Sequence, residues 1–372
     1  MQRGLEKFIQ KDLADKIVLV SGPRQVGKTT LAKGLFSSFE YLNYDSIEDR
    51  LLLMKREWNR NVSLVIFDEL HKMKKWKSWV KGIFDKEGSN PPLIVTGSAR
   101  LNTYRKGGDS LAGRHFLYRL HPFTLKELKG QMSVQEALSQ MLRVGGFPQP
   151  FLKGSEVFAK RWRKTHSDII LREDLLDLER IRDIKGIEML IALLRVRVGS
   201  TTSYASLAED LQISIPTVKH WIQILENLFI VFSVRPYHRN VARSLLKEAK
   251  YYFYDTGAVM GEQPQKLENL VACALLAELH FREDTQGEDV ELCYLRDKDK
   301  REVDFLCVVD RKPSCMIEVK WSAENFDPAL FHFQKFFKDL RGFQVVYDIK
   351  RPKSSHGVHL IPVQDFLTDM NI

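Results

Sequence analysis

The run Gly22-Pro23-Arg24-Gln25-Val26-Gly27-Lys28-Thr29-Thr30 constrains this chain more than any other segment. It reads G-x-x-x-x-G-K-T, follows the apolar Ile17-Val18-Leu19-Val20 and opens into a helix-like stretch from Leu31 to Phe36. Strand, glycine-rich turn and helix in that order make a cradle for phosphates. The glycines let the backbone bend so that successive N–H groups face phosphate oxygens, and the helix adds the positive end of its dipole. Lys28 is then expected to reach the β- and γ-phosphates, and the Thr29 hydroxyl to bind Mg²⁺.

A second segment completes the pattern. Leu64-Val65-Ile66-Phe67 is a short apolar run that ends in Asp68-Glu69. Such a run fits a strand buried on both faces of a parallel sheet, whose ligands gather at the carboxyl ends of the strands. Asp68 is expected to hold the hydration shell of Mg²⁺, and Glu69 to polarise the attacking water. A third run, Leu93-Ile94-Val95-Thr96, ends in Gly97-Ser98. Ser98 either orients that water or is a simple turn serine. The segment Ser110-Leu111-Ala112-Gly113-Arg114 precedes a strand-like run from His115 to Leu120. Arg114 then lies on the rim of the sheet, as a surface cation or as a group reaching the nucleotide of a neighbouring subunit.

Together SGPRQVGKTTL, VIFDEL, IVTGS and SLAGR resemble the AAA+ ATPases. They most resemble the prokaryotic group with a GPRQVGKTT loop, and the likeness covers nearly the whole chain. The resemblance implies ATP and Mg²⁺ bound between subunits of a homo-oligomer. It implies Walker A roles for Lys28 and Thr29, and Walker B roles for Asp68 and Glu69. It makes Ser98 sensor 1 and Arg114 the arginine finger. Arg161, Arg163 and Arg172 are the candidates for a sensor 2 arginine.

The 372 residues suffice for several domains, and a 44% apolar content supports real cores. No apolar stretch is long enough to span a membrane. Met1-Gln2-Arg3-Gly4-Leu5-Glu6 lacks the apolar centre of a signal peptide. Cys273, Cys293, Cys307 and Cys315 show no C-x-x-C spacing, so reduced thiols in a cytoplasmic protein are expected rather than zinc. A net charge of +9 favours polyanionic partners.

Residues 1–122 are expected to form the α/β nucleotide-binding core, and 123–186 a helical lid. Leu125, Leu128, Val134, Leu138 and Leu142 recur there at helical spacing. The run Lys160-Arg161-Trp162-Arg163-Lys164 reads as a solvated helix face, before an acidic-apolar helix from Asp168 to Leu178. Residues 187–260 read helix, short helix, turn, helix, strand, basic turn, the order of a winged helix-turn-helix. Thr217, Lys219, His220 and Gln223 fall on the exposed side of its second helix. Arg235, His238, Arg239 and Arg243 fall in and after the wing, where DNA phosphates would lie. The same module can serve as a protein dock.

Residues 261–372 read as a small α/β domain. Glu268 sits in a helix-like run, Asp304 in Glu302-Val303-Asp304-Phe305, and Glu318 and Lys320 in Ile317-Glu318-Val319-Lys320. Asp304 and Glu318 then occupy the two arms of a hairpin, with Glu318 and Lys320 on one face. This set resembles the PD-(D/E)xK nuclease core. The resemblance implies that Asp304 and Glu318 hold a second Mg²⁺ and that Lys320 positions water. The fold could equally persist as a scaffold. The sequence therefore favours an ATPase that acts on DNA through its C-terminal region. An ATP-regulated nuclease and an ATP switch that docks proteins are the alternatives.

Overall fold

The computed structural model describes residues 3–98, 111–174, 183–238, 248–337 and 340–370. The chain divides into two units, one centred on residues up to His121 and one taking most of the chain from Pro122 onward.

The first unit is built on strands β1 (Ile17–Ser21), β2 (Glu40–Asn43), β3 (Val65–Asp68), β4 (Leu93–Gly97) and β5 (His115–Arg119). Helices α1 (Glu6–Asp12), α2 (Lys28–Gly34), α3 (Ile47–Lys55) and α4 (Trp76–Glu87) connect or precede them. All neighbouring strands pair in parallel, in the order β2-β3-β4-β1-β5. Every residue of β1, β3 and β4 is buried, as their unbroken apolar runs require of central parallel strands. Ile17, Leu19, Phe67 and Val95 pack with Trp58 and Trp76 in one core. Because the strands are parallel, Gly22, Asp68 and Ser98 emerge at one edge of the sheet and Arg114 at the other.

The second unit begins with helices α5 (Leu125–Leu128), α6 (Val134–Val144), α7 (Pro148–Lys153) and α8 (Glu156–Ile169). Arg161 and Lys164 of the basic run are exposed, but Trp162 is buried. Arg163 donates from Nε to Asp255 Oδ2 at 2.6 Å and from Nη2 to the Val144 carbonyl at 2.7 Å. The run is therefore only partly a solvated face. Over the helix expected at 168–178 the chain is α-helical to Ile169 and π-helical from Ile170 to Asp174; the rest lies outside the described residues.

Helix α9 (Ile184–Val196), strand β6 (Thr201–Thr202), helices α10 (Tyr204–Leu211) and α11 (Ile215–Asn227), and strands β7 (Val231–Pro236) and β8 (Ala249–Phe253) follow. Then come α12 (Gln263–Gln286), β9 (Val290–Arg296), β10 (Glu302–Val309), β11 (Lys312–Ser322), α13 (Pro328–Gln334), β12 (Arg341–Asp348), β13 (Lys353–Ser355), β14 (Val358–Pro362) and α14 (Val363–Thr368). All nine strands join one sheet, ordered β13-β14-β12-β11-β10-β9-β7-β8-β6. The link is a short parallel pairing of Arg235 and Pro236 in β7 with Cys293 and Tyr294 in β9. Arg235 thus lies inside a strand rather than in a basic turn, because its neighbours Val234 and Pro236 are buried. Arg239 and Arg243 lie outside the described residues.

Helix α12 is tied to β8 by a buried amide. Asn269 accepts from the Phe253 N–H at 2.8 Å and donates to the Phe253 carbonyl at 2.9 Å. Replacing it with an apolar side chain strands both backbone groups away from water. Asn269→Leu is expected to lower stability by about 2–4 kcal/mol, read as a shift in the urea midpoint of the full chain.

Candidate nucleotide site

The loop after β1 is pinned before any ligand enters. The Leu120 N–H donates to the Ser21 carbonyl at 2.8 Å, which brings the chain after β5 against the start of the loop. A Cβ on Gly22 would lie 2.3 Å from the Leu120 carbonyl oxygen, so only glycine fits there. Helix α2 starts at Lys28, whose side chain is 5% exposed. Its ammonium donates to the carbonyls of Gly22 at 3.0 Å and Pro23 at 2.8 Å. Pro23 and Val26 are buried, Arg24, Gly27 and Thr29 are half-buried, and Gln25 and Thr30 are exposed. Lys28 therefore lies folded back over the concave side of its own loop.

The acids meet this loop through sheet register. Asp68 of β3 pairs with Thr96 of β4, and Thr96 pairs with Val20 of β1. Asp68 Oδ2 accepts from Thr29 Oγ1 at 2.7 Å and from Tyr41 Oη at 2.9 Å. Its Oδ1 accepts from Thr96 Oγ1 and from the Glu69 N–H. Burial and Asp68 together hold the Tyr41 phenol protonated, well above its usual range. Thr29 and Asp68 are the donor set suited to a hydrated Mg²⁺ beside phosphates, since both present oxygen to one point. Glu69 takes a left-handed backbone (φ 53°), which turns its side chain away from the run of β3. Its Oε2 lies 3.3 Å from Ser98 Oγ and 3.7 Å from His71 Nδ1. The sequence reading did not find Tyr41, Thr96 or His71. Thr96 was visible as a polar residue inside an apolar strand, but Tyr41 is revealed only by strand order.

Arg114 lies just before β5, at the opposite sheet edge from the loop. The five residues of β1 separate the two edges, roughly 15 Å at the rise of a parallel strand. Its guanidinium donates to Asp85 Oδ1 at 2.6 Å, and both groups are substantially exposed.

In the second unit, Lys219, His220 and Gln223 are exposed on α11, while Val218, Trp221, Ile222 and Leu225 of the same helix are buried. Lys219 lies over the Tyr204 ring at 5.4 Å, and Arg235 donates to the Tyr204 hydroxyl at 3.2 Å.

Of the four C-terminal residues singled out in sequence, Asp304, Glu318 and Lys320 are linked to one another, and Glu268 and Asp304 meet at an unanticipated lysine. Lys250 of β8 is 1% exposed. Its Nζ lies 2.7 Å from Glu302, 3.0 Å from Asp304 and 3.6 Å from Glu268. Burial alone would lower its affinity for a proton, yet Asp304, Glu268 and Glu302 override that and raise it above the ordinary range. Other carboxylate oxygens of the group have partners of their own. Asp304 Oδ2 accepts from the Val319 N–H at 3.0 Å, and Glu318 Oε2 from the Asp304 N–H at 3.2 Å. Glu318 Oε1 accepts from Lys320 Nζ at 2.7 Å, and Glu268 Oε1 from Tyr252 Oη at 2.7 Å. Burial and the Asp304 charge push Glu268 up to about 7 and Glu318 up to about 8. Among the described residues, no group of three or more His, Cys, Asp or Glu is arranged to hold a metal. At the expected second Mg²⁺ position, Asp304 lies beside the Lys250 ammonium and Glu318 beside the Lys320 ammonium.

Residues 14–129 match the family model described as AAA domain. That stretch, which carries the glycine-rich loop and the acids, is similar to AAA domains. Residues 135–261 and 265–366 match two further models, each described as a domain of unknown function (DUF8612 and DUF4143). An uncharacterized protein of Methanocaldococcus jannaschii is 24% identical over 90% of this chain and 83% of its own length. One from Haemophilus influenzae is 23% identical over 81% of this chain and 82% of its own. A replication initiator DnaA, bound to AMPPCP and single-stranded DNA, aligns with 59% of this chain and 86% of its own at 17% identity and a TM-score of 0.32. That score is too low to bear on function. Among the described residues, no helix is long and apolar enough to cross a membrane.

Two histidines of the first unit give it a pH signature. Burial, with Lys72 and Lys28 nearby, lowers His71 to about 4. Burial, with Arg119 and Arg3, lowers His121 to about 3. Both are neutral when folded but charge below about 6.5 when unfolded, so the unfolded state binds more protons as pH falls. Stability contributed by the neutral rings is complete above pH 6.5 and is lost toward pH 4 and 3. Between pH 7 and 5 each ring is expected to remove up to about 1.4 kcal/mol of stability per pH unit, opposite in sign to the raised Glu268 and Glu318 of the second unit, so the effect is read as the difference in denaturant midpoint between wild type and a histidine variant. His71→Gln is expected to halve that histidine-dependent slope.

Proposed function

We propose that this chain is an ATP-hydrolysing AAA+ protein that works as a homo-oligomer and acts on DNA through its second unit. The observation that carries the ATPase reading is the Thr29–Asp68–Thr96 hydroxyl–carboxylate cluster beside Lys28 and Glu69. A hydroxyl from the first turn of α2 and two carboxylates at the end of β3 lie side by side, which supports phosphate-side, metal-side and water-side roles for Thr29, Asp68 and Glu69. Gly22 to Thr30 wrap the phosphates, and the Lys28 ammonium exchanges loop carbonyls for phosphate oxygens. Mg²⁺, held by Thr29 and Asp68, supplies charge neutralisation at the phosphates. Glu69, set by Ser98, orients and polarises the attacking water. Arg114 sits too far from its own loop to serve it, which suits a role toward the nucleotide of an adjoining copy.

The DNA reading rests on the order α9, β6, α10, α11, β7, β8 and the pairing of β6 and β7 with β8. This order supports a winged helix-turn-helix reading, with Lys219, His220 and Gln223 exposed on the second helix of the pair. The excess of cations over the whole chain supports a polyanionic partner. The ATP-regulated nuclease stays the alternative; Lys250 at 3.0 Å from Asp304 weighs against a metal on that carboxylate.

The ATPase reading is tested in the full chain. Lys28→Ala is expected to abolish ATP binding, and unchanged affinity would sink the loop assignment. Glu69→Gln is expected to retain ATP but slow turnover by at least ~100-fold. Arg114→Ala is expected to slow turnover similarly with ATP affinity within a few-fold, since its exposed pair with Asp85 adds little stability. For DNA, turnover is measured with and without duplex and single strands. Stimulation, with binding that weakens roughly tenfold or more from 50 to 200 mM salt, is expected. Lys219→Ala is expected to weaken that binding by roughly 5-fold and to flatten its salt dependence. Turnover indifferent to DNA would point instead to protein docking.

A further inference from the structure

The acid cluster of the second unit has the composition of a metal centre and the geometry of a closed ion-pair core. Glu302 and Asp304 both face Lys250 because they alternate along β10, while Val303 and Phe305 are buried. The β10–β9 register shifts between Val303 and Leu306, an irregularity of the kind that re-aims side chains, and Asp304 sits within it. The chain also covers the cluster from the side of α9. Gly199, in the turn before β6, approaches so closely that a Cβ there would lie 2.6 Å from Glu268 Oε2. Next to it, Thr201 accepts from Arg296 at 2.8 Å, and Arg296 lies 3.6 Å from Glu302. A divalent ion with its waters needs free carboxylate oxygens and an open position. Here Lys250 stands among Glu302, Asp304 and Glu268, and Lys320 pairs with Glu318.

We propose that Lys250 is a resident cation standing where a nuclease-like fold would hold a divalent metal, which makes the cluster a metal-independent lock between β8 and the β10–β11 hairpin. A single ammonium satisfies three carboxylates from α12 and β10 at once, in the manner of a metal, but it cannot activate water. Its removal leaves buried acids without a partner, and a divalent ion is the natural replacement.

The test uses the nucleotide-free full chain and Mn²⁺ as the probe. In wild type, melting of the second unit is expected to be the same in EDTA and in Mn²⁺. Titration calorimetry is expected to find no Mn²⁺ site that Asp304→Asn removes. Lys250→Met is expected to melt roughly 10 °C lower in EDTA. Mn²⁺ then recovers at least half of that loss, and the double variant with Asp304→Asn shows no recovery. Wild-type Mn²⁺ binding abolished by Asp304→Asn overturns the proposal, because the metal then displaces Lys250. Mn²⁺ that leaves Lys250→Met unmoved overturns it as well. The wild-type arm decides the matter even where Lys250→Met does not fold.

Discussion

The Asp68 carboxylate accepts from three hydroxyls, each on a different element: Thr29 on α2, Tyr41 on β2 and Thr96 on β4. Few other groups in the first unit are so heavily determined. A buried carboxylate is tolerated only when its lone pairs are filled, and hydrogen bonds to a charged group contribute about 1.5–3 kcal/mol each. The cluster therefore fixes the order of the sheet as much as it depends on it. Were β4 not between β3 and β1, Thr96 could not reach Asp68, and Ser98 would not stand beside Glu69.

The second unit rests on the same principle with the charge reversed. There a buried ammonium, Lys250, is made tolerable by three carboxylates around it. Neither partner could be buried alone, since an unpaired charge in a low-dielectric interior is far costlier than a matched pair. The lysine comes from β8 and the acids from α12 and β10, segments the sequence reading assigned to separate domains. Sheet pairing between β7 and β9 brings them side by side. Arg163 and Asp255 form a second such link, between α8 and the segment after β8.

Much of the fold was legible because its signals are local. Apolar runs at Ile17, Leu64 and Leu93 marked central strands, since a parallel strand covered on both faces has no polar side to alternate with. Glycine spacing marked the loop, and periodicity marked α6 and α11. Alternation along β11 placed Glu318 and Lys320 on one face, and they do meet at 2.7 Å. What failed was non-local. Arg235 was assigned to a turn because charge suggested exposure, whereas its aliphatic stem lies in a sheet and its head finds Tyr204.

The sequence by itself determined the phosphate loop, the acids at strand ends and the pairing of Asp304 with Glu318 across a hairpin. Each of these depends on residues a few positions apart or on a single turn. Only the tertiary structure decided what occupies the space between the acids. Lys250 lies 54 residues before Asp304, in a strand with no local feature to mark it. A charge pair formed by chain segments so far apart leaves no periodic trace, because its geometry is fixed by strand order and not by spacing.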